Sequence, residues 1–569
     1  MIFSNLAALQ VVVPLIGAPL CTLFGRGILA WALSTAITWF AFAVSISLLI
    51  QVLCCGTINY VMGGWLAPWG IEYRVDHLSA LVLLLITGVA SAVMPFAYQS
   101  VAREIPREKH RLFYTAYLLT FTGLLGMVIT GDAFNAFVFM EISSLSAYVL
   151  IALGKNRRAL YASFQYLVLG TIGATFFVIG VGLLYMITGT LNMVDLSERL
   201  SGQHDSRVFL AAVGFLVVGL SLKLALFPLH LWLPNSYAYA PSVVTVLLAA
   251  TGTKVAVYLL LRFIFTVLQV NQQPDLLPVV DLLFPLALIG MFAGSIVAIY
   301  QTDVKRLLAY SSIAQMGYIL LGISMASERG LIGAIVHVFN HGVMKAGLFV
   351  AVGAIAVHAG GTSIQNLAGL GRRMPFTMAA FTICALSLIG IPGTVGFVSK
   401  WYLVLAALET GTTKGFMAAI AVVSASLLAI IYVWRVIEVA YFTNPSDGEA
   451  SVAEASWQTQ FSLWIFSGSC VAFGLSTGLT AGVMDSVDFL YERFPFAIAL
   501  VVVAIYFALF ILFRSVLLPA KAVVMNALSI FASFGALVFI FQEGRLSAIT
   551  GVEATGQIEA TLPILLFFI

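Results

Sequence analysis

The chain of 569 residues is 61% hydrophobic and only 9% charged, with a mean hydropathy of +1.06. Its 27 basic and 24 acidic residues nearly cancel, leaving a formal net charge of +3. That composition lies far outside the ordinary globular mix, leaves no soluble domain, and reads as an all-α polytopic membrane protein. Apolar runs of about 20 residues, the length that crosses a hydrocarbon core, follow one another from end to end. In chain order they fall near 5–24, 28–53, 77–99, 111–130, 132–153, 161–188, 209–236, 241–268, 279–301, 307–325, 330–357, 376–402, 416–442 and 459–482, with two more near 494–516 and 521–542. The first run has neither a basic cluster before it nor a small-residue cleavage site after it, so it reads as a retained helix. Alternate joints place twelve basic residues, among them Arg103, Lys109, Lys155, Lys305 and Arg372, on one face, and only Arg74, Arg199, Arg207, Arg329 and Lys414 on the other. The positive-inside rule then puts the N-terminus outside, in a bacterial or archaeal cytoplasmic membrane. Five cysteines without CxxC or Cys/His spacing read as packing residues.

Four of the nine lysines, Lys223, Lys254, Lys345 and Lys400, lie inside the runs, as does the carboxylate of Glu141. Each charge left unpaired at the bilayer centre costs roughly 2.5–3.5 kcal/mol, so the five must face one another or water. A single lysine could snorkel to an interface; five buried charges together point to function. Glu141 sits mid-run in GDAFNAFVFMEISSLSAYVLIAL, with Ser143, Ser144 and Ser146 nearby as hydroxyl donors. Burial and a lysine partner act on such a carboxyl in opposite directions. In SLKLALFPLHLWLP, Lys223 precedes Pro228, His230 and Pro234. Proline removes a backbone donor, so this helix is expected to break at membrane depth, which is tolerated where it lines a polar cavity. SLIGIPGTVGFVSKW repeats the theme, with Pro392 among glycines before Lys400. Two interrupted helices in corresponding halves point to a transport path, against the plainer reading of packing kinks.

In HVFNHGVMKAGLF, His337, His341 and Lys345 are spaced by four, each step turning about 40° past a full circle, so all three share one helix stripe. Such a stripe can pass protons; the alternatives are satisfied core histidines or a metal, and no carboxylate or cysteine nearby completes a ligand set. No metal and no cofactor is expected. A faint internal echo joins ISSLSAYVLIALG (142–154) to YSSIAQMGYILLG (310–322), each followed by one long helix and then an interrupted one. The chain accordingly divides into N-terminal helices at 1–110, a first repeat at 111–268, a second at 279–442, and a final helix with an extension at 459–569.

Together YRVDHLSALVLLL, FVFMEISSLSAYVL, LKLALFPLHLWLPNSYAYAPS, TDVKRLLAYSSIAQMGY, HVFNHGVMKAGLF and GIPGTVGFVSKW, across residues 70–445, resemble the antiporter-like family. That family is shared by Mrp-type cation/proton antiporters and the proton-pumping subunits of respiratory complex I. Among its branches the chain most resembles the D-type subunit of the Mrp antiporter. The resemblance implies a core of about fourteen helices with two inverted five-helix repeats and broken seventh and twelfth helices. It also implies that Glu141 and Lys223 form the coupled ion pair of one half-channel, that Lys254 and the His337–Lys345 stripe form a central relay, and that Lys400 is the terminal proton site. Lysine at 400 argues against the one complex I branch with glutamate there. Two apolar helices and a tail beyond the fourteenth run depart from the family pattern, as does the acidic loop at 443–458, and the extension reads as a docking surface for another membrane subunit.

The expected function is therefore that of a proton-translocating subunit of a multisubunit Na+/H+ antiporter, with other membrane subunits of the complex, lipid, protons and sodium as partners and no nucleic acid. The alternative is a proton-pumping membrane subunit of a complex I-like oxidoreductase or a membrane hydrogenase; a self-contained solute carrier fits less well, because the buried charges are mostly titratable cations. Hard cations need several oxygen ligands, and Glu141 is the only obvious charged one in the membrane, so sodium is expected to travel elsewhere in the complex.

Overall fold

Inside a bilayer no water satisfies backbone amides and carbonyls, so apolar runs must close their hydrogen bonds internally as helices. In the computed structural model, which describes residues 5–23, 27–201, 206–270, 277–444, 453–475 and residue 525, they do so. The helices α1 (Leu6–Leu23), α2 (Gly27–Cys55), α3 (His77–Glu104), α4 (His110–Ile129), α5 (Ala133–Ala152) and α6 (Arg158–Thr188) follow in turn, then a short α7 (Met193–Arg199). Next come α8 (Arg207–Leu224) and α9 (Trp232–Tyr239), the halves of one interrupted unit. Then α10 (Ser242–Leu247) and α11 (Thr253–Leu261) join through a π turn at Leu248–Gly252 and run into a second at Arg262–Val267, forming one span. After them come α12 (Leu277–Ile299), α13 (Val304–Ser324), α14 (Glu328–Ala359), a short α15 (Leu370–Arg373), the second interrupted pair α16 (Pro375–Ile389) and α17 (Val395–Glu409), α18 (Thr413–Phe442) and α19 (Trp457–Leu475).

With each interrupted pair taken as one unit, the described residues hold fourteen crossing units, of which the seventh and twelfth are broken. The helices expected near 494–516 and 521–542, and most of the acidic loop, lie outside the described residues.

The interruptions expected within 209–236 and 376–402 are present, and the backbone fixes where each one falls. α8 ends at Leu224 because Ala225 turns left-handed, at φ 60°. α16 ends at Ile389 because Gly390 does the same at φ 94°, where a side chain is strained. Pro228 and Pro392 lie in the two breaks. Pro234 does not break a helix: it occupies the first turn of α9, where its missing amide costs nothing. Close approach across the second break needs Gly396, since a Cβ there would meet the Ser387 carbonyl oxygen at 1.8 Å.

The two halves share a signature that the sequence echo only hinted at. Asp132 caps α5 by accepting from Asn135 N at 2.7 Å, and Asp303 caps α13 by accepting from Arg306 N at 3.0 Å. Asp132 then forms an antiparallel bridge with Asn192 and Asp303 one with Ser363, sixty residues onward in each case. The capped helices are the fifth and tenth crossing units, so they start from opposite faces. An unanticipated hairpin, β1 (Ile58–Val61) with β2 (Glu72–Val75), pairs Ile58 with Val75 beside the start of α3. Its alternating INYV and EYRV were the readable signal. The α10–α11 span, with Lys254, and α13 sit inside, almost wholly enclosed, whereas α2 and α6 stay open on one side.

Candidate functional site: a buried row of cations

The four lysines that the sequence places inside the apolar runs, with His337 and His341, are buried. The resemblance implies a Glu141–Lys223 ion pair, yet the bonds these lysines make all go to neutral acceptors. Lys223, in the last turn of α8, donates to Ser144 Oγ of α5 at 2.7 Å. Glu141, one turn away on α5, is within electrostatic reach of Lys223 but not in contact with it, and its buried Oε1 has no partner. Glu141 and Lys223 thus interact at a distance rather than as a contact ion pair.

Lys254 begins the α-helical turn after the first π turn. A π turn shifts the bonding ladder by one residue and strands a carbonyl. The ammonium uses that opening, donating to the Ala249 carbonyl and, at 3.4 Å, to Thr253 Oγ1. Contacts lead from Lys223 toward it through an aromatic layer. Trp232 Nε1 donates to the Leu222 carbonyl at 2.8 Å and its ring stacks on Tyr166 at 4.0 Å. Tyr237, 6.5 Å from Trp232 between ring centroids, donates to the Leu248 carbonyl at 3.1 Å. In the break itself His230 stacks on Phe227 at 5.1 Å and faces Tyr310 of α13 at 6.5 Å, so the first half touches the second there.

The stripe on α14 is real and faces α13. His337 bonds Gln315 Oε1 through Nε2 at 2.8 Å and Ser399 Oγ through Nδ1 at 2.7 Å. Lys345 donates to the Leu308 carbonyl at 2.8 Å and to Ser311 Oγ. Between them His341 has both ring nitrogens buried without a protein partner, stacks at 6.1 Å on His337, and lies within electrostatic reach of Lys254, Lys345 and Lys400. Lys400 closes the row. Its Nζ donates to the Leu388 and Ile389 carbonyls at 2.9 and 2.8 Å and to Ser426 Oγ at 3.1 Å, 4.7 Å above the Tyr318 ring. The break therefore does electrostatic work: it ends α16 where a carbonyl terminus, the negative end of the helix dipole, meets an ammonium.

Sequence reasoning missed the partners Gln315, Ser311, Ser399 and Ser426, whose short polar side chains are common in membrane helices and carry no signal alone, and it named Ser144 only as a hydroxyl near Glu141, not as the acceptor of Lys223. It also placed Lys305 in a loop, whereas Asp303 starts α13 early enough to bury it. Toward the opposite face, Arg262 pairs with Asp76 and donates from Nε to Tyr258 Oη at 2.9 Å, which in turn donates to the Val128 carbonyl. Asp76 caps α3; burial works against its charge, but Arg262 and Ser79 outweigh that and hold its carboxyl below the ordinary carboxylate range.

A row of cations and imidazoles bonded only to hydroxyls and carbonyls can hold or release protons without breaking an ion pair, and comparison with known proteins yields the matching kinship. Residues 130–429 match the family model described as NADH:quinone oxidoreductase/Mrp antiporter, TM. The chain belongs to this family. It is 44% identical over 391 residues, 68% of this chain and 77% of the other, to the N subunit of the NADH-quinone oxidoreductase of Desulforudis audaxviator. It is 34% identical over 451 residues, 78% and 89% of the two chains, to the D-type subunit of the Na(+)/H(+) antiporter of Alkalihalophilus pseudofirmus. Among solved structures, a chain of the archaeal membrane-bound sulfane sulfur reductase superposes with a TM-score of 0.76 at 31% identity, covering 83% of this chain and 95% of that one. This protein is an antiporter-like, multi-pass membrane subunit of the kind found in Mrp and complex I-like assemblies. The higher identity to an oxidoreductase relative than to an antiporter relative leaves the branch open, where the motifs alone favoured the antiporter.

Proposed function

We propose that this subunit translocates protons through the row Glu141, Lys223, Lys254, Lys345 with His337 and His341, and Lys400, as part of a Na+/H+ antiporter in the cell membrane with its N-terminus outside. The observation that carries this reading is that the four lysines of this row, all buried, bond neutral acceptors alone. Neither protonation state is locked by a counter-charge, so a shift in one site moves the next by electrostatics. The two repeats are 111–268 and 279–442, each contributing one broken helix. Sodium passes through a neighbouring subunit.

In everted vesicles carrying the chain with its native neighbours, sodium added after a proton gradient has formed should dequench a pH-gradient dye. Glu141→Ala, Lys223→Ala and Lys400→Ala should each lose this response with assembly intact; wild-type rates from all three would remove the relay. A second reading is favoured by the 44% identity to an oxidoreductase relative: the chain pumps protons in a redox-driven complex. A gradient generated by NADH, in a complex that purifies with redox centres, would select it.

A further inference from the structure

Lys305 is a buried cation that the row above does not use. It lies in the first turn of α13, 6% exposed, and its Nζ donates to Ser242 Oγ at 3.0 Å and, more loosely, to the Ala240 carbonyl at 3.5 Å. On the other side of the same hydroxyl stands Glu104, the half-buried last residue of α3. Its Oε2 accepts from Ser242 N at 2.8 Å and from Ser242 Oγ at 3.2 Å, and its Oε1 accepts from Ser100 Oγ at 2.7 Å. A serine hydroxyl can accept one hydrogen while donating another, and here it does both between an ammonium and a carboxylate. The inner end of this chain lies near the relay along α13: the Leu308 carbonyl, one turn beyond Lys305, is the acceptor of Lys345 Nζ. The outer end is fixed at the membrane edge: beside Glu104, Arg103 donates to the Val357 carbonyl at 2.7 Å and Lys155 donates to the Arg103 carbonyl.

We propose that Glu104, Ser242 and Lys305 form a proton-access site that joins the buried relay to the membrane face carrying Arg103 and Lys109. The inference rests on the proton-translocation reading above. For inward movement, hydronium at the membrane face protonates the Glu104 carboxylate and leaves water; the carboxyl O–H then passes its proton to Ser242 Oγ as the serine hydroxyl gives its own to the neutral Lys305 amine. Glu104 is left a carboxylate, Ser242 a hydroxyl and Lys305 an ammonium, one turn from the Lys345 acceptor. Outward movement reverses each transfer. A structural cap for α10 would need only the Glu104 bond to Ser242 N, and nothing in that role calls for a buried lysine on the far side of the hydroxyl.

The test uses the whole complex in everted vesicles, with rates taken per assembled complex and the solvent deuterium isotope effect measured beside them. Glu104→Gln keeps the shape, Ser242→Ala keeps the backbone bond to Glu104, and Lys305→Arg keeps a charge that cannot be given up. Each should slow proton transport at least about tenfold and raise the isotope effect, because a proton transfer has become limiting. Wild-type rates in Glu104→Gln or Ser242→Ala, or slowing that only follows abundance with the isotope effect unchanged, would overturn the access site. Lys400→Ala in the same preparation separates the two levels: if it is inactive while Ser242→Ala is normal, only the access site fails, and if it too transports normally, the relay reading itself fails.

Discussion

Replacing Lys400 by methionine removes an ammonium and leaves a side chain of similar length. The Leu388 and Ile389 carbonyls lose their donor, at about 1–3 kcal/mol each for a buried unsatisfied group. Against this, the membrane no longer holds a buried charge, a relief of about 2.5–3.5 kcal/mol. The two effects are of one size and opposite sign, so Lys400→Met should insert and assemble within a few kcal/mol of the wild type. Transport is another matter: with no group at this position to take up and release a proton, the rate should fall at least about a hundredfold. Lys400→Arg sharpens the test. A guanidinium keeps the charge and can still reach the carbonyls, but it does not deprotonate in proteins. Blotting for abundance, thermal stability of the extracted complex and dye dequenching by sodium give the three readouts. An arginine variant that transports at the wild-type rate would refute proton release from Lys400, as would a methionine variant whose loss of rate only tracks its loss of abundance.

Ser144→Ala removes the acceptor that holds the Lys223 ammonium; a bond to a charged group is worth about 1.5–3 kcal/mol, so transport should slow roughly 10–100-fold, and an unchanged rate would mean that this bond does not set Lys223 for its part in the relay. Trp232→Phe deletes the indole donor to the Leu222 carbonyl, leaving only the longer contact from Ala225 N at 3.3 Å, and should cost about 1 kcal/mol in thermal stability while the ring still stacks on Tyr166. Asp76 sets a pH limb outside the bilayer. Its carboxyl is held below its ordinary range when folded, so it contributes stability above the unfolded value of about 3.9 and loses it as pH falls through the lower folded value. Asp76→Asn should lower the thermal midpoint at neutral pH and flatten that acid limb; a limb of unchanged steepness would assign the acid sensitivity elsewhere.

What could be read from the sequence was whatever violates the membrane's own rule. Lys223, Lys254, Lys345, Lys400 and Glu141 stood out because charge is costly in an apolar run, and the α14 stripe because spacing by four fixes a face. What could not be read were the partners. A lysine invites the expectation of a carboxylate, and the acceptors turned out to be Ser144, Ser311, Ser426 and bare carbonyls that only folding brings near. Lys305 was hidden for a related reason: TDVKR reads as a polar joint until Asp303 is seen to cap a helix that buries the second residue after it. The prolines announced the breaks but not their positions, which the left-handed backbone at Ala225 and Gly390 decides.

The two breaks differ in a way that makes only one of them sensitive to protonation. At the first, the terminal carbonyls of α8 are met by neutral donors: Ser221 by Leu226 N at 2.9 Å and Leu222 by the Trp232 indole. Lys223 is spared that duty and bonds Ser144 instead. At the second, Leu388 and Ile389 depend on Lys400 itself. When Lys400 gives up its proton, two charge-assisted bonds become neutral ones, a loss of about 1 kcal/mol each, or about thirtyfold in the opening equilibrium of the break. Hydrogen exchange at the amides of Gly390, Ile391 and Thr394, with the intrinsic rate divided out, should therefore lose protection as rising pH deprotonates Lys400. The amides of Ala225 and Leu226 should not, and in Lys400→Arg the second break should become as indifferent to pH as the first. Equal behaviour at both breaks, or a pH response that survives the arginine, would show that the helix interruption shapes the site without sensing its charge.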